Sequence, residues 1–142
     1  MARVSKTMDI DLELKDAGLV AASAAAQVDS TDQILNIGTG NFEGDIVIDV
    51  TACEVDSGNE YYRIGAQISS SSTFASDIYE VCSITLGDSA VLAGDVDMGV
   101  GRYVLKFHNR IADGTNKGYM RLYTTVGGTV GTGINYSAFI TV

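Results

Sequence analysis

Three stretches decide the fold class: Arg102-Tyr-Val-Leu-Lys-Phe-His-Asn-Arg110, Tyr119-Met-Arg-Leu-Tyr-Thr-Thr-Val126 and Ile134-Asn-Tyr-Ser-Ala-Phe-Ile-Thr-Val142. Each repeats with a period of two. In the first, Tyr103, Leu105 and Phe107 share a face opposite Val104, Lys106 and His108. In the second, Met120, Leu122 and Val126 oppose Arg121 and Thr125; in the third, Ile134, Tyr136, Ala138, Ile140 and Val142 oppose Asn135, Ser137 and Thr141. Side chains alternate across a strand, so the pattern predicts antiparallel strands with one face buried and one wet. No reactive constellation accompanies it.

The same period appears upstream. Residues 45–54 place Ile46, Ile48, Val50 and Ala52 on an inner face, and residues 60–69 do the same with Tyr62, Ile64, Ala66 and Ile68. Asp56-Ser57-Gly58-Asn59 between them is a turn, because Asp and Asn bond their own backbone and Gly accepts positive φ; the two runs read as a hairpin. Residues 78–86 form a further strand after the polar loop 69–73. Residues 87–101 are a long glycine-containing connection with a short apolar stretch at Val91–Ala93. Near the start, Met8, Ile10, Leu12 and Leu14 alternate with Asp9, Asp11, Glu13 and Lys15, predicting a short strand. The alanines of residues 16–28 favour helix by propensity, while Gly18 and the missing apolar stripe oppose it. The expected core holds Ile46, Ile48, Val50, Ile64, Ile68, Leu105, Phe107, Leu122 and Ile140. The whole is an all-β chain of about eight strands, a sandwich or barrel in one antiparallel domain over residues 8–142, preceded by a flexible basic arm over residues 1–7.

Composition narrows the function. Eighteen acidic residues against nine basic ones give a net charge of −9, which argues against phosphate-backbone contacts and against an anionic membrane surface. No apolar run is long enough to cross a bilayer as a helix. The early acids Asp9, Asp11 and Glu13 stand where a secretory segment would be apolar, so synthesis in a cytosol is expected. Cys53 and Cys82 lack CxxC spacing and read as reduced structural thiols.

Candidate chemistry is sparse. His108, the single histidine, points away from the core by alternation, and no Gly-x-Ser-x-Gly elbow accompanies it. Asp88, Asp95 and Asp97 could gather oxygen ligands for calcium, but the EF-hand spacing and its closing Glu are missing, so solvated turn carboxylates are the better reading. Gly38-Thr39-Gly40 with Gly44 lacks the Lys-Ser/Thr of a nucleotide loop and runs into a strand where a helix should start. These residues predict no catalytic group, no metal and no cofactor, hence no enzyme. Tyr61, Tyr119 and Tyr123 fall on outer faces, where tyrosine offers rigid amphipathic area for a partner. The chain has no proline; unguarded strand edges therefore predict self-association, most simply a two-fold dimer.

Several stretches together resemble the jelly-roll capsid cement, or decoration, proteins of tailed bacteriophages. Met8-Asp-Ile-Asp-Leu-Glu-Leu-Lys-Asp-Ala17 is similar to the family's opening strand, and residues 20–28 to the Ala/Ser/Thr-rich segment after it. Asn59-Glu-Tyr-Tyr-Arg-Ile-Gly-Ala-Gln-Ile-Ser69 with Ser72-Thr-Phe-Ala-Ser76 resembles its central strand and polar loop. Gly101-Arg-Tyr-Val-Leu-Lys-Phe107, Tyr119-Met-Arg-Leu-Tyr-Thr-Thr-Val-Gly-Gly128 and Ser137-Ala-Phe-Ile-Thr141 resemble its closing strands. The polar insert 109–118 and the basic leader are additions to that pattern. The resemblance implies a single β-sandwich of jelly-roll type with the Ala-rich segment extended. It implies a non-enzymatic virion protein on the outer capsid surface that bridges neighbouring major capsid protein subunits. Arg3, Lys6, Tyr61, Tyr119 and Tyr123 are then the expected capsid-binding residues. A carbohydrate-binding β-sandwich, lectin-like or from a fibre, is the alternative.

Overall fold

The computed structural model describes residues 10–142 other than Asp95. A single 3-10 turn, Ile10–Leu12, leads into β1 (Glu13–Lys15), β2 (Leu19–Val20), β3 (Ala24–Ala25), β4 (Gln27–Val28), β5 (Thr31–Asp32) and β6 (Leu35–Asn36). The long strands follow: β7 (Glu43–Cys53), β8 (Tyr61–Ser69), β9 (Tyr79–Gly87), the one-turn helix α1 (Ser89–Leu92), β10 (Gly101–His108), β11 (Tyr119–Gly127) and β12 (Ile134–Thr141). The strand count exceeds eight because the segment before residue 37 is cut into short pieces.

Two antiparallel sheets pack face to face. The first runs β1-β12-β7-β10, with β2 added on β12; the second runs β3-β11-β8-β9, with β6 added on β11. From β9 onward the chain changes sheet at every connection, so β10, β11 and β12, neighbours in sequence, never pair with one another. This wrapping is a jelly roll. It corrects the expected hairpin: β7 pairs with β10 and β12, β8 with β9 and β11. The 54–60 connection crosses between layers. The turn residues fix where the chain reverses and carry no information about which sheet it enters.

The core lies between the sheets. Ile46, Ile48, Val50, Ile64, Ile68, Phe107, Leu122 and Ile140 are buried as expected. Leu105 is only half-buried, because β10 is an edge strand with a partner on one side. Ala52 is exposed and Cys53 packs on the core instead. The register explains the exchange: Tyr136 pairs with Val50 and Asn135 with Ala52, so Thr51 is an extra residue that reverses the parity beyond it. Across the core, the hydroxyls of Thr124 on β11 and Tyr136 on β12 lie 2.6 Å apart, a polar tie between the two sheets. Burial pushes the Tyr136 phenol up to about 12.

The first strand also departs from expectation. Met8 lies outside the described residues, residues 10–12 form the 3-10 turn, and only Glu13–Lys15 is strand. Its pairing to β12 slips by one residue, with Glu13 opposite Phe139 and Lys15 opposite Ala138. Lys15 is consequently buried rather than wet. Its ammonium donates to the carbonyls of Asp16, Gly18 and Tyr136 at 2.9, 3.0 and 2.8 Å, using all three of its protons. Burial lowers its pKa. The Ala-rich segment is extended in short strands rather than helical, and the 88–100 connection contains α1, capped by the Asp88 carboxylate accepting from Ala90 N–H at 2.8 Å. Cys53 and Cys82 are free thiols.

Candidate functional site

The outer face of the second sheet gathers the three tyrosines singled out above. Register places Tyr119 opposite Ser69, Tyr123 opposite Gly65 and Gly127 opposite Tyr61. All three tyrosines therefore stand on one face, spread over roughly 27 Å at the usual rise per strand residue. They are half-buried, not free-standing. Glycine makes this possible at two positions. A Cβ on Gly127 would collide with the Tyr61 ring, which lies flat across the strand there. A Cβ on Gly65 would collide with the Glu80 carboxylate, which crosses the sheet to meet Arg63.

Between the tyrosines the surface is fastened by polar and cation–ring contacts. Arg121 Nε donates to Gln67 Oε1 at 2.8 Å, and its guanidinium lies 4.4 Å from the Phe74 ring centroid and 5.4 Å from that of Tyr123. Burial lowers the Arg121 pKa. Phe74 belongs to the 70–78 loop and is buried beneath this guanidinium. Arg63 holds Glu80 through both carboxylate oxygens at 3.1 and 3.0 Å. The face is thus a rigid, mixed aromatic and polar surface with no nucleophile–base pair in it, suited to contact rather than to bond-making.

The two ends of the sandwich differ in charge. One is built from residues 54–60, 88–94, 96–100 and 128–133 and carries Glu54, Asp56, Glu60, Asp88 and Asp97. No lysine or arginine occurs between Lys15 and Arg63. Several of these acids organise backbone. Glu54 accepts the N–H groups of Gly131, Thr132 and Gly133, which hold its carboxyl below the usual range. The buried Glu60 accepts from Ser57 and Asn59; burial acts to raise its pKa, but these donors outweigh it and the net shift is downward. Asp88 caps α1 and Asp97 accepts from Ser89 N–H at 2.8 Å. Asp95, the third member of the suggested calcium trio, lies outside the described residues, and among those residues no cluster could hold a metal.

The opposite end carries His108, Arg110 and Lys117 together with Asp77 and Asp113. Lys117 meets Asp77 at 2.8 Å, and this contact with the Ser70 hydroxyl brings the Asp77 carboxyl down to about 2. His108 Nδ1 accepts from Arg110 N–H at 3.3 Å, and no serine hydroxyl or carboxylate bonds the ring among the described residues. Arg3 and Lys6 lie outside the described residues, so the structure does not relate them to the tyrosine face. Sequence reasoning missed Phe74, Gln67 and Arg121 as parts of that face; the cross-strand register that joins them has no local signature. No protein-family model matches the chain, and no curated protein matches it.

Proposed function

We propose that this chain is a structural virion protein that binds the outer surface of an assembled bacteriophage capsid and ties neighbouring major capsid protein subunits together. The observation that carries the reading is the tyrosine-bearing outer face of the second sheet, held rigid by Arg121, Phe74 and the Arg63–Glu80 pair. A surface already ordered loses little side-chain entropy when it docks. The jelly-roll topology agrees with the resemblance in the strand sequences. Binding to assembled shells and not to free subunits would stabilise the shell by mass action, and many copies would add multivalency. The reading is non-enzymatic, without nucleic acid or membrane among its partners, which accords with the charge of −9.

Co-sedimentation tests it. The chain should pellet with assembled capsids and stay in solution with free coat subunits, and Tyr119→Ala with Tyr123→Ala should reduce the bound fraction. Equal binding by the doubly substituted chain would remove this face from the docking surface. A chain beginning at Thr7, lacking Arg3 and Lys6, should bind less tightly at low salt and equally at high salt, since salt screens exposed charge. Binding to a soluble-glycan array without binding to capsids would favour the carbohydrate reading.

A further inference from the structure

We propose a second, separate site: a carboxylate-binding cleft between the two edge strands β9 and β10. A cavity of about 400 Å³ opens there, lined by Tyr79, Glu80, Val81, His108, Arg110, Ile111 and the exposed Ala112. That volume falls in the range of small-molecule sites. The lining surface is mostly apolar, and Arg110 and His108 both border it.

Arg110 marks the site. Lys15 is bonded to three carbonyls, Arg63 to Glu80, Arg102 to Asp49, Lys106 to Asp45, Lys117 to Asp77 and Arg121 to Gln67. Among the described cations, Arg110 alone has a head group with no hydrogen-bond or ion-pair partner. On an acidic chain, where carboxylates outnumber cations, that is unexpected. His108 supplies the second donor. Because its Nδ1 accepts the Arg110 N–H, the neutral ring keeps its proton on Nε2, free for a ligand. The acid in the wall, Glu80, is already neutralised by Arg63 through both oxygens.

A guanidinium fork and one imidazole N–H match the two oxygens of a carboxylate. A multiply charged anion would be repelled by the chain's overall charge. Val81, Ile111 and Ala112 then receive an apolar stem. The ligand class is a monocarboxylate on a short aliphatic or aromatic stem, supplied as a free small acid or as the C-terminal residue of a peptide.

Titration of the full chain with hexanoate, hexanol and acetate, followed by NMR at the His108 ring and the Ala112 methyl, tests this. Hexanoate should give saturable shifts at both residues, and acetate and hexanol should bind at least about tenfold more weakly, the scale of a charge-assisted contact. Arg110→Gln should weaken hexanoate by a similar factor and leave hexanol unchanged. Its head group is outside the core, so the remaining spectrum should stay in place. Ala112→Leu should crowd the lining and weaken binding of all three. A peptide ending in leucine, compared with its C-terminal amide, separates the sources: binding of the free acid alone assigns a peptide terminus, and binding of hexanoate without the peptide assigns a small acid. Equal affinity for hexanoate and hexanol, or no effect of Arg110→Gln, would overturn the proposal.

Discussion

Phe107 shows how much one side chain contributes when it closes an edge. It is buried on β10 and meets Phe42 edge-to-face, with ring centroids 6.1 Å apart and planes at 70°, a favoured aromatic geometry. Removing the ring leaves a cavity that an edge strand paired on one side can fill only in part. Phe107→Ala should therefore lower unfolding free energy by roughly 3–5 kcal/mol, read from urea denaturation; a loss below about 1 kcal/mol would mean the site collapses without cost. Lys15 makes the opposite case. It was legible as an outward residue of an alternating strand, yet it is buried, because a one-residue slip against β12 and three backbone carbonyls accommodate it. Lys15→Met should expose the need for those bonds, costing about 1–3 kcal/mol by leaving buried carbonyls without a donor. Such partners come from positions far apart in the chain, and no local pattern announces them.

Loops at the acidic end are held by carboxylates rather than by apolar contacts, which gives that end its own pH response. Glu54 gathers three consecutive amides of the β11–β12 connection and Glu60 gathers two of the β7–β8 connection. Both carboxyls titrate below their ordinary 4.5 in the folded chain. A lowered folded value means that the unfolded chain takes up protons first, so this stabilisation is complete above about pH 4.5 and is lost as pH falls through the folded values. Urea midpoints should be flat from pH 7 to 5 and drop below pH 4.5, and Glu54→Gln should reduce the drop. The same substitution should speed amide exchange at Gly131, Thr132 and Gly133 at neutral pH; unchanged exchange would show that the loop is held otherwise. At this scale the long strands were readable, since β7, β8, β10, β11 and β12 each turn an alternating apolar face to the core. Their assignment to sheets was not. Alternation reports a buried face without its partner, and the Thr51 bulge reversed parity where composition gave no sign. The short strands before residue 37 were ambiguous because alanine fits helix and strand, and only pairing with β11 and β12 decides between them.

Taken as a whole, the sandwich is closed unevenly. On one side the edges are the short β1, β2, β3 and β6; on the other they are β9 and β10, nine and eight residues long. Those long edges carry few guards. Arg102 and Lys106 on β10 are each neutralised by Asp49 and Asp45 directly across the ladder, and Ser83 and Thr85 on β9 are uncharged. Prolines and unpaired charges, the usual obstacles to edge pairing, are missing from both. The tyrosine face was legible at this scale because alternation puts Tyr61, Tyr119 and Tyr123 outward, while their coplanarity needed the β8–β11 register. The exposed edges follow only from topology. A two-fold dimer through β9 is the expected consequence. Light scattering should give twice the monomer mass at high concentration, and Ser83→Lys with Thr85→Lys should return the monomer without lowering the thermal midpoint by more than a few degrees. Salt adds an independent sign. Two copies of charge −9 repel, so dimerisation should strengthen as salt rises, whereas contacts made by Arg3 and Lys6 to an acidic shell should weaken. A dimer that dissociates at high salt would place opposite charges in its interface and exclude the Ser83–Thr85 stretch of β9 as the contact.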